Sequence, residues 1–256
     1  MSKVRTLILR APGTNCDEET AFAFEQAGAV VSLVYISQLI DCTKQLKDYQ
    51  IMVIPGGFTY GDDLGAGKVL ANEIKLKLSP DIEKFVNGGR LILGICNGFQ
   101  ALVKAGFLPG LSPQNKQILT LAANDSGRFE CRWVYLMANQ ESRCIFTRGI
   151  KRLYLPVAHG EGKVVADPKV LPNLDVALYY TDEQGSTKAG YPYNPNGSVE
   201  DIAGISDASG RIFALMPHPE RFIQSSQHPR WQSEGTKEWG DGFKIFTNAV
   251  KWAKGL

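Results

Sequence analysis

The chain has 256 residues, of which 44% are hydrophobic and 21% charged; this balance is typical of a soluble globular protein, and we expect one domain over residues 1–256. Its 28 basic and 26 acidic residues leave a net charge of +2 without any cationic run, so neither nucleic acid nor a membrane surface is an expected partner. No segment is apolar for long enough to span a bilayer, no secretory signal is recognisable, and the five cysteines form no C-x-x-C pair, which together indicate a reducing cytoplasm.

Strands and helices alternate through the first hundred residues, a pattern typical of βαβ units around a parallel sheet. The first helix begins with three acidic residues at 17–19 and ends at Gly28. Two further helices are predicted at residues 68–78 and 81–86. The predicted strands of this half lie at residues 4–9, 30–35, 51–54 and 91–93.

The second half is rich in strands and poor in helices, which predicts an antiparallel extension of the sheet. The predicted strands lie at residues 117–122, 129–137, 153–157, 177–181 and 212–216. An amphipathic helix over residues 242–254, capped by Asp241, closes the chain. The polar segment 224–240 is predicted to be an exposed loop in which only Trp231 and Trp239 indicate some packing, with His228 exposed. The expected fold is an open, mostly parallel α/β sheet flanked by helices.

Cys96 stands where the buried strand at 91–93 must turn sharply into a helix, in the sequence RLILGICNGFQ. Gly94 and Gly98 bracket it at two-residue offsets, which is the G-x-nucleophile-x-G elbow with cysteine in place of serine. Such a turn brings neighbouring backbone so close that the flanking positions have no room for a Cβ. A thiol there lies at a helix N-terminus, where the unpaired amides and the helix dipole favour the thiolate. Cys96 is therefore the candidate nucleophile.

The run ALMPHPER supplies a candidate base and a carboxylate that can orient it. Pro217 and Pro219 bias this segment away from helix, and side chains two residues apart share one face of an extended chain. His218 and Glu220 can then point together, with His218 taking the Cys96 proton and Glu220 holding the other ring nitrogen. A histidine after a parallel strand lies at the carboxyl edge of the sheet, where the elbow also ends.

Attack on an amide carbonyl creates an oxyanion that requires preorganised donors. The sequence Pro55-Gly56-Gly57 follows a predicted strand, so its backbone amides project from the same edge of the sheet. The backbone N–H groups of Gly57 and of Asn97, the residue after the nucleophile, are the predicted donors. By itself a Gly-Gly pair indicates only a turn.

Several other residues have simpler interpretations. The cysteines other than Cys96, at positions 16, 42, 131 and 144, are expected to be small buried hydrophobes or exposed residues rather than functional groups. His159, within AHGEG, is either structural or part of the site, and the sequence leaves both open. By itself the run NPNGS at 194–198 is typical of a turn.

With GICNGFQ, PGG and MPHPER in this order, the chain resembles the class I, triad-type glutamine amidotransferases. The wider set of PGTNCDEET, PGGFTYGDDLGAG, AHGEGK, NPNGS and LMPHPER resembles the glutaminase subunits of phosphoribosylformylglycinamidine synthase, and these matches span nearly the whole chain. The resemblance implies a flavodoxin-like fold and a Cys96-His218-Glu220 triad that converts glutamine to a γ-glutamyl thioester and ammonia. It further implies that Gln100 and the backbone at Gly160 and Glu161 hold the amino acid part of glutamine.

The resemblance also implies partners and cofactors. Ammonia would pass to a large synthetase subunit (PurL), which uses ATP and Mg to convert formylglycinamide ribonucleotide to its amidine; the need for a small accessory subunit (PurS) stays open. No metal or cofactor site is expected in this chain, which carries no nucleotide-binding signature. Two alternatives remain: a free-standing cysteine hydrolase on a similar fold, and a non-catalytic subunit that only senses glutamine.

Overall fold

One large mixed sheet runs through the protein in the computed structural model, which describes residues 3–110, 117–235 and 237–256. The strands are β1 (Arg5–Arg10), β2 (Val30–Tyr35), β3 (Ile51–Ile54), β4 (Leu91–Ile95), β5 (Leu119–Ala122), β6 (Glu130–Ala138), β7 (Arg152–His159), β8 (Lys163–Ala166), β9 (Asp175–Thr181), β10 (Ile202–Ser206) and β11 (Ile212–Leu215). The helices are α1 (Asp17–Gln26), α2 (Ile36–Ile40), α3 (Lys68–Glu73), α4 (Ser79–Asn87), α5 (Asn97–Ala105), α6 (Trp231–Glu234) and α7 (Phe243–Ala253).

Nine strands form the large sheet in the order β2-β1-β3-β4-β11-β10-β9-β6-β7, while β5 and β8 pair separately. From β2 to β11 the strands are parallel, and from β11 to β7 every pairing is antiparallel. Every residue of β3, β4 and β11 is buried, as expected where helices cover both faces of a parallel sheet. The predicted fold class, a parallel α/β sheet with an antiparallel extension, is confirmed.

The parallel strands deliver four loops to the same edge of the sheet. The segments that follow β1, β3, β4 and β11 all leave at the carboxyl ends of neighbouring strands. In open α/β sheets this edge is where ligands bind. The loop after β4 carries Cys96 and the loop after β11 carries His218, so the strand order places the two candidate residues on adjacent strands.

Some predicted elements differ in detail. The helix predicted at 68–78 is α3 followed by a π-helical turn at Ile74–Leu78, after which α4 begins with Pro80 in its first turn. Strands β8 and β10 were not predicted. In β10 the apolar run is only five residues long and contains Gly204, where a Cβ would lie 2.9 Å from the carbonyl oxygen of Ala214.

The predicted cap of the last helix is wrong. Gly242 is the N-cap of α7, and the Asp241 carboxylate instead accepts a hydrogen bond from the backbone N–H of Tyr154, at 2.9 Å. A Cβ on Gly242 would lie 2.0 Å from the carbonyl oxygen of Pro219, so this position requires glycine. The start of α7 is therefore tied to β7 and to the loop after β11.

The segment 224–240 is not simply an exposed loop. It contains α6, and His228 is buried, with its ring centroid 5.4 Å from those of Trp133, Tyr154 and Phe222. The predicted exposure of His228 is therefore wrong, because aromatic side chains from β6, from β7 and from the segment after β11 cover it. Trp239 stacks on Phe243 at 4.0 Å. Residue 236 lies outside the described residues, and within those residues no helix has the length and apolar surface that a membrane crossing demands.

Candidate active site

Cys96 occupies the sharp turn between β4 and α5. Its backbone has φ 50° and ψ −102°, a conformation that costs an L-residue on the order of 1–3 kcal/mol. A Cβ on Gly98 would lie 1.9 Å from the carbonyl oxygen of Ile54, and one on Gly94 would lie 2.9 Å from that of Gly98. Close backbone approach therefore requires both glycines, for the reason that the sequence pattern indicated.

Neighbouring strands hold this strained turn in place. The backbone N–H of Cys96 donates to the carbonyl oxygen of Leu215 at 2.8 Å, which continues the pairing of β4 with β11 by one residue. Its carbonyl oxygen accepts from the N–H of Gln100, at 3.1 Å, in the first turn of α5. The thiol lies 3.7 Å from the carbonyl oxygen of Ala158. The sulfur is thereby directed into a cavity of about 470 Å³ at the carboxyl edge of the sheet.

His218 lines the same cavity as Cys96, and Glu220 lies behind it. The Nδ1 atom of His218 and the Oε1 atom of Glu220 are 2.6 Å apart, and each residue is only 1% exposed. The backbone N–H of His218 donates to the carbonyl oxygen of Pro156, at 2.8 Å, which ties the loop to β7. The structure thus brings together the three residues that the sequence singled out from two segments far apart along the chain.

The electrostatics of this group favour a charged imidazole. Burial by itself lowers the pKa of His218, but the carboxylate of Glu220 and the neighbouring sulfur of Cys96 outweigh it and raise the pKa well above its usual value. The Nε2 atom of His218 is buried and makes no hydrogen bond of ordinary geometry to a described residue. The arrangement can hold a proton on His218 beside a nucleophilic sulfur.

Cys16 lies within this group as well, which sequence reasoning missed. Its thiol accepts a hydrogen bond from the Arg221 guanidinium at 3.1 Å, and both residues line the cavity. Burial opposes the charge on Arg221, but its interactions with the Cys16 sulfur and the Glu220 carboxylate raise its pKa. The available signal was position, since Cys16 follows β1, whose carboxyl end meets the same edge of the sheet.

A metal ion fits this cluster poorly. Donor atoms of Cys16, His218 and Glu220 lie within 4.8 Å of one another. However, Nδ1 of His218 and Oε1 of Glu220 are 2.6 Å apart, whereas two ligands of one tetrahedral zinc ion stand about 3.5 Å apart. That pair is therefore a hydrogen bond that orients the imidazole.

The two predicted oxyanion donors are Gly57, in the cavity wall, and Asn97, directly after the nucleophile. Gly57 lines the cavity in an extended loop bridged to Thr14, and the bridge bonds use Gly56 and Phe58 rather than the amide of Gly57. Asn97 begins α5, where the backbone N–H has no intrahelical acceptor. Its side chain is held by Thr59, whose hydroxyl donates to Oδ1 at 2.6 Å. Their assignment as an oxyanion hole stays a prediction.

Gln100, Gly160 and Glu161 also line the cavity. The Gln100 side chain is already committed, because Nε2 donates to the carbonyl oxygen of Glu161 at 2.5 Å and Oε1 accepts from Asn97 at 2.9 Å. It therefore joins α5 to the loop after β7. The Glu161 carboxylate is anchored by Lys104 at 3.8 Å. The role of these residues in glutamine binding stays a prediction.

His159, whose role the sequence left open, lines the cavity and is 2% exposed. Its Nδ1 atom lies 3.1 Å from Oδ1 of Asn124. Burial and the positive charge of His218 lower the pKa of His159 to about 4, so its ring is neutral at physiological pH. The two histidines of the cavity therefore differ in charge, because only His218 has a carboxylate partner.

The run NPNGS supports the cavity from behind, which sequence reasoning also missed. Asn196 is fully buried, and its side-chain amide donates to the carbonyl oxygen of Gly162 at 2.9 Å. Its Oδ1 atom accepts from the hydroxyl of Ser198 at 2.7 Å. These bonds fix the loop of residues 160–162 that follows His159. A turn composition gives no sign of this role, since it depends on which loop the turn packs against.

The family model of the CobB/CobQ-like glutamine amidotransferase domain matches residues 3–253, nearly the whole chain. The chain belongs to this glutamine amidotransferase family. The resemblance drawn from its motifs is thereby confirmed, and the cavity contains the thiol and the base that a glutamine amidotransferase requires.

Individual relatives match this amidotransferase over its full length. It is 62% identical over 254 residues to the phosphoribosylformylglycinamidine synthase subunit PurQ of Dehalococcoides mccartyi, with 99% of each chain covered. It is 44% identical over 265 residues to the protein of that name from Methanococcus maripaludis, with 97% of each chain covered. Among solved structures it is similar to PurLQS from Thermotoga maritima, at a TM-score of 0.76 and 33% identity, covering 98% of this chain and 99% of the other.

Proposed function

We propose that this amidotransferase is the glutaminase subunit of phosphoribosylformylglycinamidine synthase and that it converts L-glutamine to glutamate and ammonia. The observation that carries the proposal is the convergence of Cys96 and His218 in one cavity, with Glu220 bonded to the ring nitrogen on the far side. The full-length similarity to two PurQ proteins supports the assignment to purine synthesis.

In the first half-reaction the sulfur of Cys96 attacks the side-chain carbonyl carbon of glutamine. A C–S bond forms and the carbonyl electron pair moves to oxygen, where the N–H groups of Gly57 and Asn97 stabilise the oxyanion. The C–N bond then breaks while His218 gives its proton to the departing nitrogen. The products are ammonia and a γ-glutamyl thioester. Because its pKa is raised, His218 is protonated and can supply the proton that this step needs.

In the second half-reaction water replaces the thiol. His218, now neutral, takes a proton from the water as its oxygen attacks the thioester carbonyl carbon. The C–S bond breaks, glutamate leaves, and the thiolate-imidazolium pair of Cys96 and His218 is restored. Glu220 keeps the ring in one orientation through both halves.

The residues that select the substrate lie in the loop after β7 and in α5. Backbone groups at Gly160 and Glu161 hold the amino acid end of glutamine. Gln100 shapes that end of the pocket by fixing the loop, since its own amide already bonds to Asn97 and to Glu161. No metal takes part in this chain's chemistry.

The ammonia is passed to a large synthetase subunit (PurL), which uses ATP and Mg to convert formylglycinamide ribonucleotide to its amidine. The similarity to the solved structure of PurLQS supports this partner and a small third subunit (PurS). The five cysteines are all free, which supports a reducing cytoplasm as the compartment.

The division of labour is tested with Cys96→Ala in the assembled complex. This variant is expected to abolish glutamine-dependent amidine formation and to leave ammonium-driven synthesis unchanged, since ammonia bypasses the thioester. Cys42→Ala, which removes an exposed thiol outside the cavity, is the matched control and should behave as the wild type. Glutamine-dependent activity in Cys96→Ala, or loss of the ammonium-driven reaction, would contradict the proposal.

A covalent trap separates an enzyme from a glutamine-sensing subunit. A diazoketone analogue of glutamine should alkylate Cys96, and peptide mass spectrometry should find the adduct on that residue. The Cys96→Ala protein should carry no adduct. A wild-type protein that binds the analogue reversibly and stays unmodified would favour the sensing subunit.

A further inference from the structure

His159 has a buried ring nitrogen that no described residue satisfies. Its Nε2 atom makes no hydrogen bond to any residue that the structure describes, although the side chain is only 2% exposed. An unsatisfied buried polar atom costs about 1–3 kcal/mol, and the few found in native proteins are often at functional sites. Because His159 lines the cavity with Cys96 and His218, a bound molecule is the natural partner for Nε2.

The hydrogen-bond network determines which ring nitrogen carries the proton. The side-chain amide of Asn124 donates to the carbonyl oxygens of Arg128, at 2.9 Å, and of His159, at 2.8 Å. Its Oδ1 atom is therefore an acceptor, and it accepts from the backbone N–H of Gly162, at 3.0 Å, and from Nδ1 of His159. Since Nδ1 is the donor, Nε2 of the neutral ring carries a lone pair and can only accept.

His159 lies near the reacting groups of the cavity. Ala158, the residue before His159, holds its carbonyl oxygen 3.7 Å from the Cys96 thiol. The charge of His218 acts directly on His159 and, after burial, is the second cause of its lowered pKa. His159 therefore shares the cavity with the nucleophile and the proton donor, the two groups that act on the carboxamide when the C–N bond breaks.

We infer that Nε2 of His159 accepts a hydrogen bond from the nitrogen of the substrate carboxamide and keeps it while that nitrogen departs as ammonia. The inference rests on the proposed glutaminase function and adds a substrate-binding group to it. One N–H of the carboxamide points to His159, which turns the lone pair of the departing nitrogen towards the proton on His218. The same lone pair on His159 repels a carboxylate oxygen, so the site favours glutamine over glutamate.

The charge state of His159 suits this role. The proton given to the leaving nitrogen comes from His218, and His159 exchanges none, because a ring with a pKa of about 4 stays neutral. Ammonia therefore leaves uncharged, with its lone pair available to form the next C–N bond. A charged imidazole at position 159 would instead repel the protonated His218.

Two substitutions and two substrates test the inference. His159→Asn keeps a donor near the Nδ1 position for Asn124 and has no acceptor at the Nε2 position, whereas His159→Gln can present its carbonyl oxygen there. The substrates are L-glutamine and L-glutamate γ-methyl ester, whose leaving oxygen carries no N–H. Since one hydrogen bond is lost, kcat/KM of His159→Asn should fall about 10-fold with glutamine and stay unchanged with the ester. His159→Gln should recover part of the loss.

His228→Asn is the control, since it changes a buried histidine outside the cavity and should leave the amide-to-ester ratio of kcat/KM unchanged. An equal loss with both substrates would show that His159 only supports the fold. No loss with glutamine would show that Nε2 does not bind the substrate. Either result would overturn this inference and leave the proposed glutaminase function intact. A wild-type chain that hydrolyses no glutamine, even with its synthetase, would overturn the proposed function and this inference with it.

Discussion

Cys96 and His218 share one buried environment, but it affects them in different ways: it fixes the position of the Cys96 sulfur and the charge of the His218 ring. Neighbouring backbone holds Cys96 in a strained conformation, so its sulfur stays at the N-terminus of α5. His218 loses hydration on burial, but Glu220 at 2.6 Å replaces it with a fixed negative charge. The charged imidazole of His218 is therefore available before substrate binds.

Removing the charge of Glu220 should move the pH dependence of the reaction. Glu220→Gln keeps an acceptor for Nδ1 of His218 and lowers the pKa of that ring, because a negative charge that stabilised the imidazolium is gone. Since the imidazolium then loses its proton at a lower pH, the alkaline limb of kcat/KM should shift to lower pH. Turnover near neutral pH should fall on the order of 10³–10⁴-fold.

The measurement is kcat/KM for glutamine across the pH range, with the exposed Glu238→Gln as the matched control. A profile that keeps its alkaline limb, or moves it to higher pH, would show that another group sets the charge on His218.

At the scale of elements, the site depends on how closely β3, β4 and α5 approach one another. Alanine is favoured over glycine in a helix by about 1 kcal/mol, yet Gly98 stands in the first turn of α5. The backbone of Ile54 leaves no space for a side chain there. Tertiary contact therefore overrides helix propensity at this position.

Gly98→Ala should destabilise the protein by about 1–3 kcal/mol and abolish glutaminase activity, because the new Cβ must push α5 away from β3. Gly110→Ala is the control, since no described residue lies within 4 Å of a Cβ at this position, and the unfolding free energy should change by less than about 0.5 kcal/mol. Urea unfolding compares the two. Equal stabilities would mean that the approach of α5 to β3 is not tight.

The loop of residues 160–162 depends on the turn behind it. Asn196→Ala removes the donor to Gly162 and should destabilise the protein by about 1–3 kcal/mol, while raising the KM for glutamine through the displaced loop. Asn173→Ala, at an exposed position, is the control and should change neither quantity. Loss of stability with an unchanged KM would show that this turn supports the fold and does not affect glutamine binding.

At the scale of the whole molecule, the cavity opens beside exposed aromatic side chains. Phe58 and Phe129 are 48% and 53% exposed, and their rings lie 6.4 Å apart at the cavity wall. Exposed apolar groups around a site are typical of a surface that another protein covers. The proposed synthetase would dock over this edge of the sheet. Ammonia would then be released towards the synthetase.

We expect the isolated chain to hydrolyse glutamine slowly and the synthetase to accelerate it on the order of 10- to 100-fold, because release of free ammonia would waste glutamine. Glutamate production is measured with and without the partner, and Cys96→Ala with the partner gives the background. Fast hydrolysis by the isolated chain, unaffected by the synthetase, would identify a free-standing hydrolase instead.

The sequence by itself determined the chemistry and most of the parallel sheet. Three patterns are short-range, because the residues of each stand within a few positions of one another in the sequence: the Cys96 elbow, the His218-Glu220 pair and the glycines before Phe58. The alternation of strands and helices is local in the same sense, so it could be read without knowledge of the fold.

Only the tertiary structure decided what surrounds these groups. Four features depend on contacts between segments that are distant along the chain: the contact of Cys16 with Arg221, the proton position on His159, the support from Asn196 and the burial of His228. Such contacts follow from the order and register of the strands, which depend on the free energy of the whole packed core. No local pattern carries that information, since a polar residue in a turn has the same sequence signature whether water or a buried loop receives its hydrogen bond.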